Sequence, residues 1–430
     1  MKFGRRLLTT TLGAIALFFS IATKAQQKYV GGDISLLPSY EASNAWYVDE
    51  NGQHITDMLK YLKGQGLNSM RVRLFVDPSK ASEDEKRQGV RQDLEYVKTL
   101  GKRIKDAGFS LMLDFHYSDT WADPGSQWTP SAWQSLGDEQ LKQKIYDYTK
   151  DCLQQMVDAG ATPDFIQTGN EISYGMLWGA RGTSQNRCYT NSGSANWNRF
   201  YGLLQQAGRA CREVCPQARI ILHSERVPKT SVLKDFFDRM KNNGVDYDII
   251  GLSYYPYHHG GMQNLENALN TVESYDKDIM IVETGYYYAW YPSNAEYPNM
   301  VNFWPATPVG QASYTKDLIA TLKNHERVIG LYWWFLEACE NGTNPVVTPS
   351  GWYNASLFND SNVKDTGWDY GKVMPAMKEL KSFLGSTSGL TMVSFVSRDH
   401  FWYNLQGIRF DNRPQRRGLY ITNGQKAFVK

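Results

Sequence analysis

The chain has 430 residues, of which 42% are hydrophobic and 21% charged, and its formal net charge is +2. This length and composition exclude a disordered chain and allow a large buried core, and the small net charge gives no indication of a nucleic-acid partner. Aromatic residues make up 13% of the chain, which fits either a large core or a cleft in which flat rings stack on sugars.

The first 25 residues predict an export signal. Three basic residues precede a largely apolar run over residues 7–22, and small residues stand at Thr23 and Ala25, where a signal peptidase would cut. A membrane anchor is the alternative, but the apolar run is short for a bilayer. We therefore expect no transmembrane segment and an exported protein that is periplasmic, on the cell surface or extracellular.

The cysteines are few and odd in number, which does not predict a disulfide framework. One bridge stays open as an alternative, and the sequence does not choose its partners. The five positions are Cys152, Cys188, Cys211, Cys215 and Cys339.

Eight short apolar runs alternate with longer amphipathic stretches from Tyr29 to about Leu384. Examples of the amphipathic stretches begin at Asp93 and at Ser231, and Gly244 is a natural helix stop. This alternation predicts a parallel sheet covered by helices, and eight such units predict a (β/α)₈ TIM barrel over residues 26–384. An open doubly wound sheet is the alternative, disfavoured because no G-x-G-x-x-G follows a strand. The runs begin at Tyr29, Ser69, Phe109, Asp164, Ala218, Tyr247, Ile279 and Val328.

Two glutamates stand where the fourth and seventh predicted strands end. Barrel enzymes place their chemistry at these carboxyl ends, and strands four and seven face each other across the mouth. Glu171 and Glu283 would thus face each other across a cleft, as glycoside hydrolysis requires of its two carboxylates. Either glutamate alone could equally be a salt-bridged strand end; the pair, with Asn170 before the first, favours catalysis.

Longer motifs resemble glycoside hydrolase family 53, the arabinogalactan endo-β-1,4-galactanases. They include GGDISLLPSYE, RVRLFVDP, LMLDFHYSDTWADPGSQWTP, FIQTGNEISYGMLW, DIIGLSYYPYHHG, IVETGYYY and GWYNASLFN, and they cover about Gly31 to Leu384. The resemblance implies a (β/α)₈ enzyme that hydrolyses β-1,4-galactan, the side chains of pectic arabinogalactan.

The resemblance also implies roles for the residues that match its motifs. Glu171 would be the acid/base and Glu283 the nucleophile of a double displacement with net retention, which predicts carboxyl groups about 5–5.5 Å apart. Asn170 would hold the sugar 2-hydroxyl. Arg71 or Arg73 should keep Glu283 ionised, and we prefer Arg73 because it lies nearer the strand end.

Further residues are expected to support the site or bind substrate. Tyr255 is expected to donate a hydrogen bond to the nucleophile, and His116 to position the site by hydrogen bonding. Asp114, earlier on the same strand, is expected to be buried support. The candidates for sugar stacking are Trp121, Trp178 and Trp334, of which Trp334 is preferred.

The chain departs from the family pattern after strand eight, where Trp334-Phe335-Leu336 replaces a common Trp-Glu-Pro, and at His258, where the family often has Trp. These departures leave open how many sugar units the cleft holds. No metal-binding motif is present, so no cofactor and no catalytic metal are expected. A structural calcium in residues 340–344 or 359–365 is the disfavoured alternative.

The last part of the chain, residues 385–430, reads as a linker and a short C-terminal β appendage. Thr422-Asn423-Gly424-Gln425 predicts a hairpin turn between two strands. The segment resembles the sorting tails of some secreted bacterial proteins, and an ordinary appendage on the barrel is the equal alternative.

The sequence therefore predicts a secreted hydrolase with a polysaccharide partner, for which a monomer suffices. Two rivals remain: a relative that cuts another β-1,4 chain such as mannan or cellulose, and a non-catalytic glycan-binding protein on the same scaffold.

Overall fold

The computed structural model describes residues 26–189, 194–340, 352, 354–359, 370–385, 402–404, 409–410, 414–415, 418–422 and 425–429. The chain divides into two compact units, Met1–Leu384 and Gly385–Lys430. The predicted signal peptide, residues 1–25, lies outside the described residues, as do most of the two loops considered for calcium.

Eight parallel strands close into a barrel in the order β1-β3-β4-β5-β6-β7-β8-β9. This confirms the predicted (β/α)₈ fold, and the open-sheet alternative is wrong. Each predicted apolar run supplies one barrel strand. In chain order the strands are β1 Tyr29–Asp33, β2 Tyr47–Val48, β3 Ser69–Leu74, β4 Ser110–Phe115, β5 Phe165–Thr168, β6 Arg219–Ser224, β7 Ile249–Tyr254, β8 Asp278–Thr284, β9 Val328–Trp333, β10 Phe358–Asn359 and β11 Gly371–Val373.

Helices separate the barrel strands along the chain. They are α1 Leu37–Ala42, α2 Met58–Gly64, α3 Glu83–Arg87, α4 Leu94–Asp106, α5 Asp138–Asp158, α6 Ser194–Val214, α7 Thr230–Asn242, α8 Pro256–His259, α9 Met262–Glu273, α10 Pro308–Lys323 and α11 Pro375–Leu380. Short 3₁₀ turns occupy Pro78–Lys80, Ser131–Trp133, Pro298–Asn302 and Lys381–Leu384.

The helix α4 shows how the sequence sets these elements. Asp93 caps its first turn by accepting a hydrogen bond from the Tyr96 backbone N–H at 2.9 Å. Val97, Leu100 and Ile104, at three- and four-residue spacing, are fully buried and face the core. The helix stop predicted at Gly244 is confirmed. Helix α7 ends at Asn242, just before Gly244, whose φ is +64°.

The strands pack on both faces, as a helix-covered barrel requires. Residues on one face join the helices in the main core, while a separate apolar cluster of strand residues fills the barrel interior. This inner cluster lies at the amino-terminal side of the polar strand ends and forms a rigid base for them. Its members are Met112, Phe165, Ile221, Ile249, Met280, Val282, Ile329 and Tyr332.

Two small sheets complete the described structure. Strands β10, β11 and β2 form a three-stranded sheet in the first unit. In the second unit, β12 Trp402–Asn404, β13 Arg409–Phe410, β14 Gly418–Thr422 and β15 Gln425–Val429 form an antiparallel sheet in the order β13-β12-β14-β15. Thr422 pairs with Gln425, which confirms the predicted hairpin strands.

The disulfide that the sequence left open is not formed by the following four cysteines. Cys152, Cys188, Cys211 and Cys215 are buried and unbridged, and burial raises the pKa of Cys215 to about 11. Within the part of the chain that the structure describes, no helix is both long and apolar enough to cross a membrane.

Candidate active site

A cleft of about 590 Å³ opens at the carboxyl ends of the barrel strands. Seven of the eleven predicted site residues line it: His116, Trp121, Asn170, Glu171, Tyr255, Glu283 and Trp334. The other four, Arg71, Arg73, Asp114 and Trp178, are fully buried behind its walls.

A sharp change of backbone direction after β5 brings Asn170 and Glu171 to the cleft. Gly169 has a φ of +106°, and a Cβ there would lie 2.6 Å from the Ile172 side chain. Glu171 itself has a φ of +48°, a conformation that is costly for a residue other than glycine. Such local strain is typical of functional positions, because the surrounding fold must hold it in place.

The carboxyl group of Glu171 lies in a site that disfavours its ionised form. Burial is the main cause that raises the pKa of Glu171 well above its ordinary value, and the negative charges of Glu283 and Glu225 add to it. The Ser253 hydroxyl opposes these effects by donating a hydrogen bond to Glu171 Oε1 at 2.6 Å. These surroundings favour the protonated form of the Glu171 carboxyl group.

Glu283 is buried too, but it has cationic and hydrogen-bonding partners. Arg71 Nη2 lies 2.9 Å from Glu283 Oε1, and the Tyr255 hydroxyl donates to Oε2 at 2.9 Å, as predicted for this tyrosine. Burial raises the pKa of Glu283 to about 7, against the lowering effect of Arg71 and Tyr255. The two carboxyl groups therefore have different surroundings: Arg71 and Tyr255 favour the ionised form of Glu283, whereas acidic neighbours disfavour ionisation of Glu171.

Arg71 is the centre of the charge network beneath the cleft. Besides Glu283, its guanidinium contacts Asp33 at 3.1 Å, Asp114 at 2.8 Å and the Asn170 amide oxygen at 2.9 Å. The network orients Asn170 and Glu283 together, and Asp114 is the buried support that the sequence predicted.

The preference for Arg73 as the partner of Glu283 is wrong. Both arginines point into the barrel, since they alternate along β3. Arg73, however, lies one pleat higher, bonds Asp33 at 2.8 Å and places its guanidinium over Trp121 and Trp334. The deeper Arg71 reaches the carboxylate because β8 presents Glu283 at that level.

His116 holds the loop after β4. Its Nδ1 accepts a hydrogen bond from the Ala122 backbone at 3.0 Å, and its Nε2 lies 3.1 Å from Asp114 Oδ2. The ring also packs edge-on against Trp121. His116 is therefore placed to position the cleft wall, as predicted.

The three candidate stacking tryptophans differ in exposure. Trp121 and Trp334 line the cleft, whereas Trp178 is only 1% exposed and its indole N–H donates to the Tyr174 carbonyl at 3.0 Å. The prediction that Trp178 stacks on a sugar is therefore wrong, because its ring is packed in the core. Trp333, next to Trp334, is buried.

A family model, Glycosyl hydrolase family 53, matches residues 29–368. The chain belongs to glycosyl hydrolase family 53. It is therefore a glycosidase, and the matched region contains all eight barrel strands.

Several family 53 relatives are similar over most of their length. An endo-beta-1,4-galactanase of Bacillus subtilis is 31% identical over 71% of this chain and 68% of its own, and an arabinogalactan endo-beta-1,4-galactanase of Cellvibrio japonicus is 32% identical over 77% and 86%. The catalytic domain of a family 53 protein from Ignisphaera aggregans is 32% identical, with a TM-score of 0.70, and covers 82% of this chain and 95% of that one.

For a family 53 glycosidase, the cleft also contains residues to which sequence reasoning gave no role. Glu225 and Arg226 follow β6, and Trp352 lies near Tyr255 with its ring centroid 5.0 Å away. His223 was visible as a strand-end residue. Ser253 was not, and the signal that points to it is its position near the end of β7, two residues before Tyr255.

No group of three or more His, Cys, Asp or Glu side chains suited to a metal occurs among the residues that the structure describes. The cofactor prediction remains a prediction.

Proposed function

We propose that this family 53 glycosidase is an exported, retaining endo-β-1,4-galactanase that cleaves pectic arabinogalactan side chains, with Glu171 as acid/base and Glu283 as nucleophile. The observation that carries the proposal is the unequal surroundings of two carboxyl groups in one cleft. Glu283 has Arg71 and Tyr255 against its two oxygens, while Glu171 has a hydroxyl and three acidic neighbours.

In the first step, Glu171 gives its proton to the leaving glycosidic oxygen while Glu283 attacks the anomeric carbon. A glycosyl ester forms on Glu283, and the leaving chain departs with a new hydroxyl. In the second step, Glu171, now ionised, takes a proton from water, which attacks the same carbon and frees Glu283. Two inversions give net retention.

The proposed substrate is supported by the names of the relatives, which include endo-β-1,4-galactanases of two bacteria. The rival reading of a mannan- or cellulose-cutting relative shares the same carboxylates. The rival reading of a non-catalytic glycan binder is disfavoured, because binding alone does not need a strained glutamate opposite an arginine-held one.

A substrate panel tests this proposal. The mature chain is incubated with debranched galactan, mannan and carboxymethylcellulose, and new reducing ends are measured. Release from galactan alone supports the substrate. Release only from another glycan would support the hydrolytic mechanism and contradict the proposed substrate. No release from any of the three would contradict the proposed hydrolysis of these glycans.

Arg71→Lys should weaken the enzyme and move the acidic limb of its pH profile to higher pH. Removing the guanidinium contact weakens the effect that lowers the pKa of Glu283, so the nucleophile stays protonated to a higher pH. The measurement is kcat/KM against pH. Arg73→Lys is the matched control, because Arg73 bonds Asp33 rather than Glu283; an equal shift in both variants would contradict the assignment.

The tryptophans give a second matched pair. Trp178→Ala should lower the free energy of unfolding by about 3–5 kcal/mol, since a buried ring leaves a cavity, and should leave the KM of the folded enzyme near wild type. Trp334→Ala should raise KM, because a sugar loses its stacking surface. Thermal denaturation and steady-state kinetics separate the two effects, and a KM effect of Trp178→Ala without loss of stability would contradict the proposed roles.

Export is the remaining part of the proposal. It is supported by the basic and apolar pattern of residues 1–25. The N-terminal sequence of the protein recovered outside the cytoplasm would test it, and a protein that retains Met1 would contradict cleavage.

A further inference from the structure

A closed circuit of hydrogen bonds surrounds Glu171. The Glu171 backbone N–H donates to His223 Nδ1 at 3.2 Å. His223 Nε2 lies 2.8 Å from Ser253 Oγ, and the Ser253 hydroxyl donates to Glu171 Oε1 at 2.6 Å. The circuit begins and ends on the same residue and involves two side chains from neighbouring strands, β6 and β7.

The backbone N–H fixes the direction of this circuit. A backbone amide can only donate, so His223 Nδ1 must be an acceptor and the proton of the neutral ring must be on Nε2. Gln167 Nε2, 3.1 Å away, is a second donor to Nδ1. Asn170 Oδ1 also lies 3.1 Å from Nδ1, but it already receives Arg71 Nη2 at 2.9 Å.

The direction at His223 determines the direction at Ser253. Since Nε2–H donates to Ser253 Oγ, the hydroxyl proton is left for Glu171 Oε1. The reverse arrangement, in which a protonated Oε1 donates to the serine and the serine to histidine, would need an unprotonated Nε2 and is excluded by the backbone N–H. Oε1 therefore accepts, and the acidic proton of Glu171 belongs on Oε2.

We propose that His223 and Ser253 are positioning residues for the acid/base: they hold Glu171 Oε1 as a hydrogen-bond acceptor and so assign proton transfer to Oε2. Among the described residues, none is hydrogen bonded to Oε2. The inference rests on the proposed role of Glu171.

The fold builds this arrangement with an irregularity in the barrel. The pairing of β7 with β8 shifts between Leu252 and Ser253, so that Ser253 stands opposite Glu283 rather than Val282. Such a shift re-aims side chains next to active sites. It brings the hydroxyl that holds the acid and the carboxylate of the nucleophile to the same level of the cleft.

Burial, together with nearby positive charge, favours the neutral form of His223. His223 is fully buried, and its burial lowers its pKa well below the ordinary value; Arg71 and His116 also lower it, and Asp114 opposes them. Glu171 is faced by Ser253 and by the acidic groups Glu283, Glu225 and Asp123, and it adds to the effects that raise the pKa of Tyr255. Of these neighbours, the Ser253 hydroxyl lowers the pKa of Glu171.

Ser253→Ala tests the inference through a pH profile. Without the hydroxyl, the pKa of Glu171 rises, so the alkaline limb of kcat/KM should move to higher pH. The weaker acid should also cleave galactan roughly tenfold more slowly, while an activated aryl β-glycoside of a galacto-oligosaccharide, whose leaving group needs no acid, should react at nearly the wild-type rate. Ser253→Thr, which keeps the hydroxyl, should restore both properties.

The control for packing is Ser69→Ala. Ser69 is a buried barrel serine whose hydroxyl lies 2.7 Å from the Tyr332 hydroxyl, away from the cleft. It should leave the alkaline limb unchanged. An unchanged alkaline limb in Ser253→Ala, or equal losses on galactan and on the aryl glycoside, would overturn the inference.

Nitrogen NMR of the histidine rings tests the circuit without substrate. In the intact mature protein, His223, assigned by its loss in His223→Gln, should be the neutral tautomer protonated on Nε2 across the working pH range. A ring protonated on Nδ1, or a cationic ring, would overturn it. The NMR result does not depend on catalysis, so it can contradict the positioning role without contradicting the proposed function. Variants of Glu171 test the proposed function.

Discussion

Glu283→Ala should abolish galactan turnover, with a loss of kcat on the order of 10⁴-fold or more. The variant removes the atom that forms the glycosyl ester, and no other described carboxylate has Arg71 and Tyr255 against its two oxygens. Binding of galacto-oligosaccharides should remain measurable by calorimetry, because the cleft walls are unchanged. Substantial remaining turnover would contradict the nucleophile assignment.

Glu296→Ala is the matched control for this variant. Glu296 also lines the cleft, but its side chain is largely exposed and its closest ionic contact is His258 at 3.9 Å. Its loss should change kcat by no more than about twofold, as expected for a surface charge.

An external anion such as azide should partly restore the activity of Glu283→Ala on an activated substrate and give the product of inverted configuration.

Glu171→Ala should discriminate between substrates by their leaving groups. On galactan, loss of the general acid should lower kcat/KM by about 10²–10⁴-fold. On an activated aryl glycoside the first step needs no acid, so the glycosyl ester forms and accumulates, and steady turnover is limited by the missing base.

Azide separates this variant from Glu283→Ala. It needs no base, so it should accelerate the second step of Glu171→Ala and give a glycosyl azide of retained configuration. Equal losses on both substrate types, or an azide product of inverted configuration, would contradict the acid/base role of Glu171.

The alkaline side of the wild-type profile should report Glu171. Burial and acidic neighbours raise the pKa of Glu171, while Arg71 and Tyr255 oppose the rise in the pKa of Glu283. Activity should therefore fall at low pH as Glu283 gains a proton and at high pH as Glu171 loses one. The acidic limb should lie near pH 7, where burial places the pKa of Glu283, and the alkaline limb above it.

The fold could be predicted because its signals are local. Apolar runs of strand length, amphipathic stretches and helix stops such as Gly244 each depend on a few neighbouring residues, and eight repeats leave few alternatives to a closed barrel. The strand-end rule then located Glu171, Glu283, Asn170 and Tyr255 in the same cleft.

The remaining features of the site depend on how deep each side chain lies in the barrel. The alternation of residues along a strand predicts the direction of a side chain but not its depth. Arg71 and Arg73 face the same way along β3, and only the level at which β8 presents Glu283 decides between them. The sequence does not distinguish Trp178 from Trp334 as stacking residues. Trp178 is enclosed by residues that are distant in the chain, so its burial is visible only in the structure. Ser253 was missed because the register shift that aims it depends on the pairing of β7 with β8.

The residue that carries the glycosyl ester can be identified by trapping that intermediate. The mature enzyme is incubated with an activated 2-deoxy-2-fluoro galacto-oligosaccharide, which slows the second step, and the labelled peptide is sequenced by mass spectrometry. The proposed mechanism predicts one label, on Glu283. A label on Glu171 or Glu225, or inverted product with no labelled enzyme on galactan-derived substrates, would contradict it.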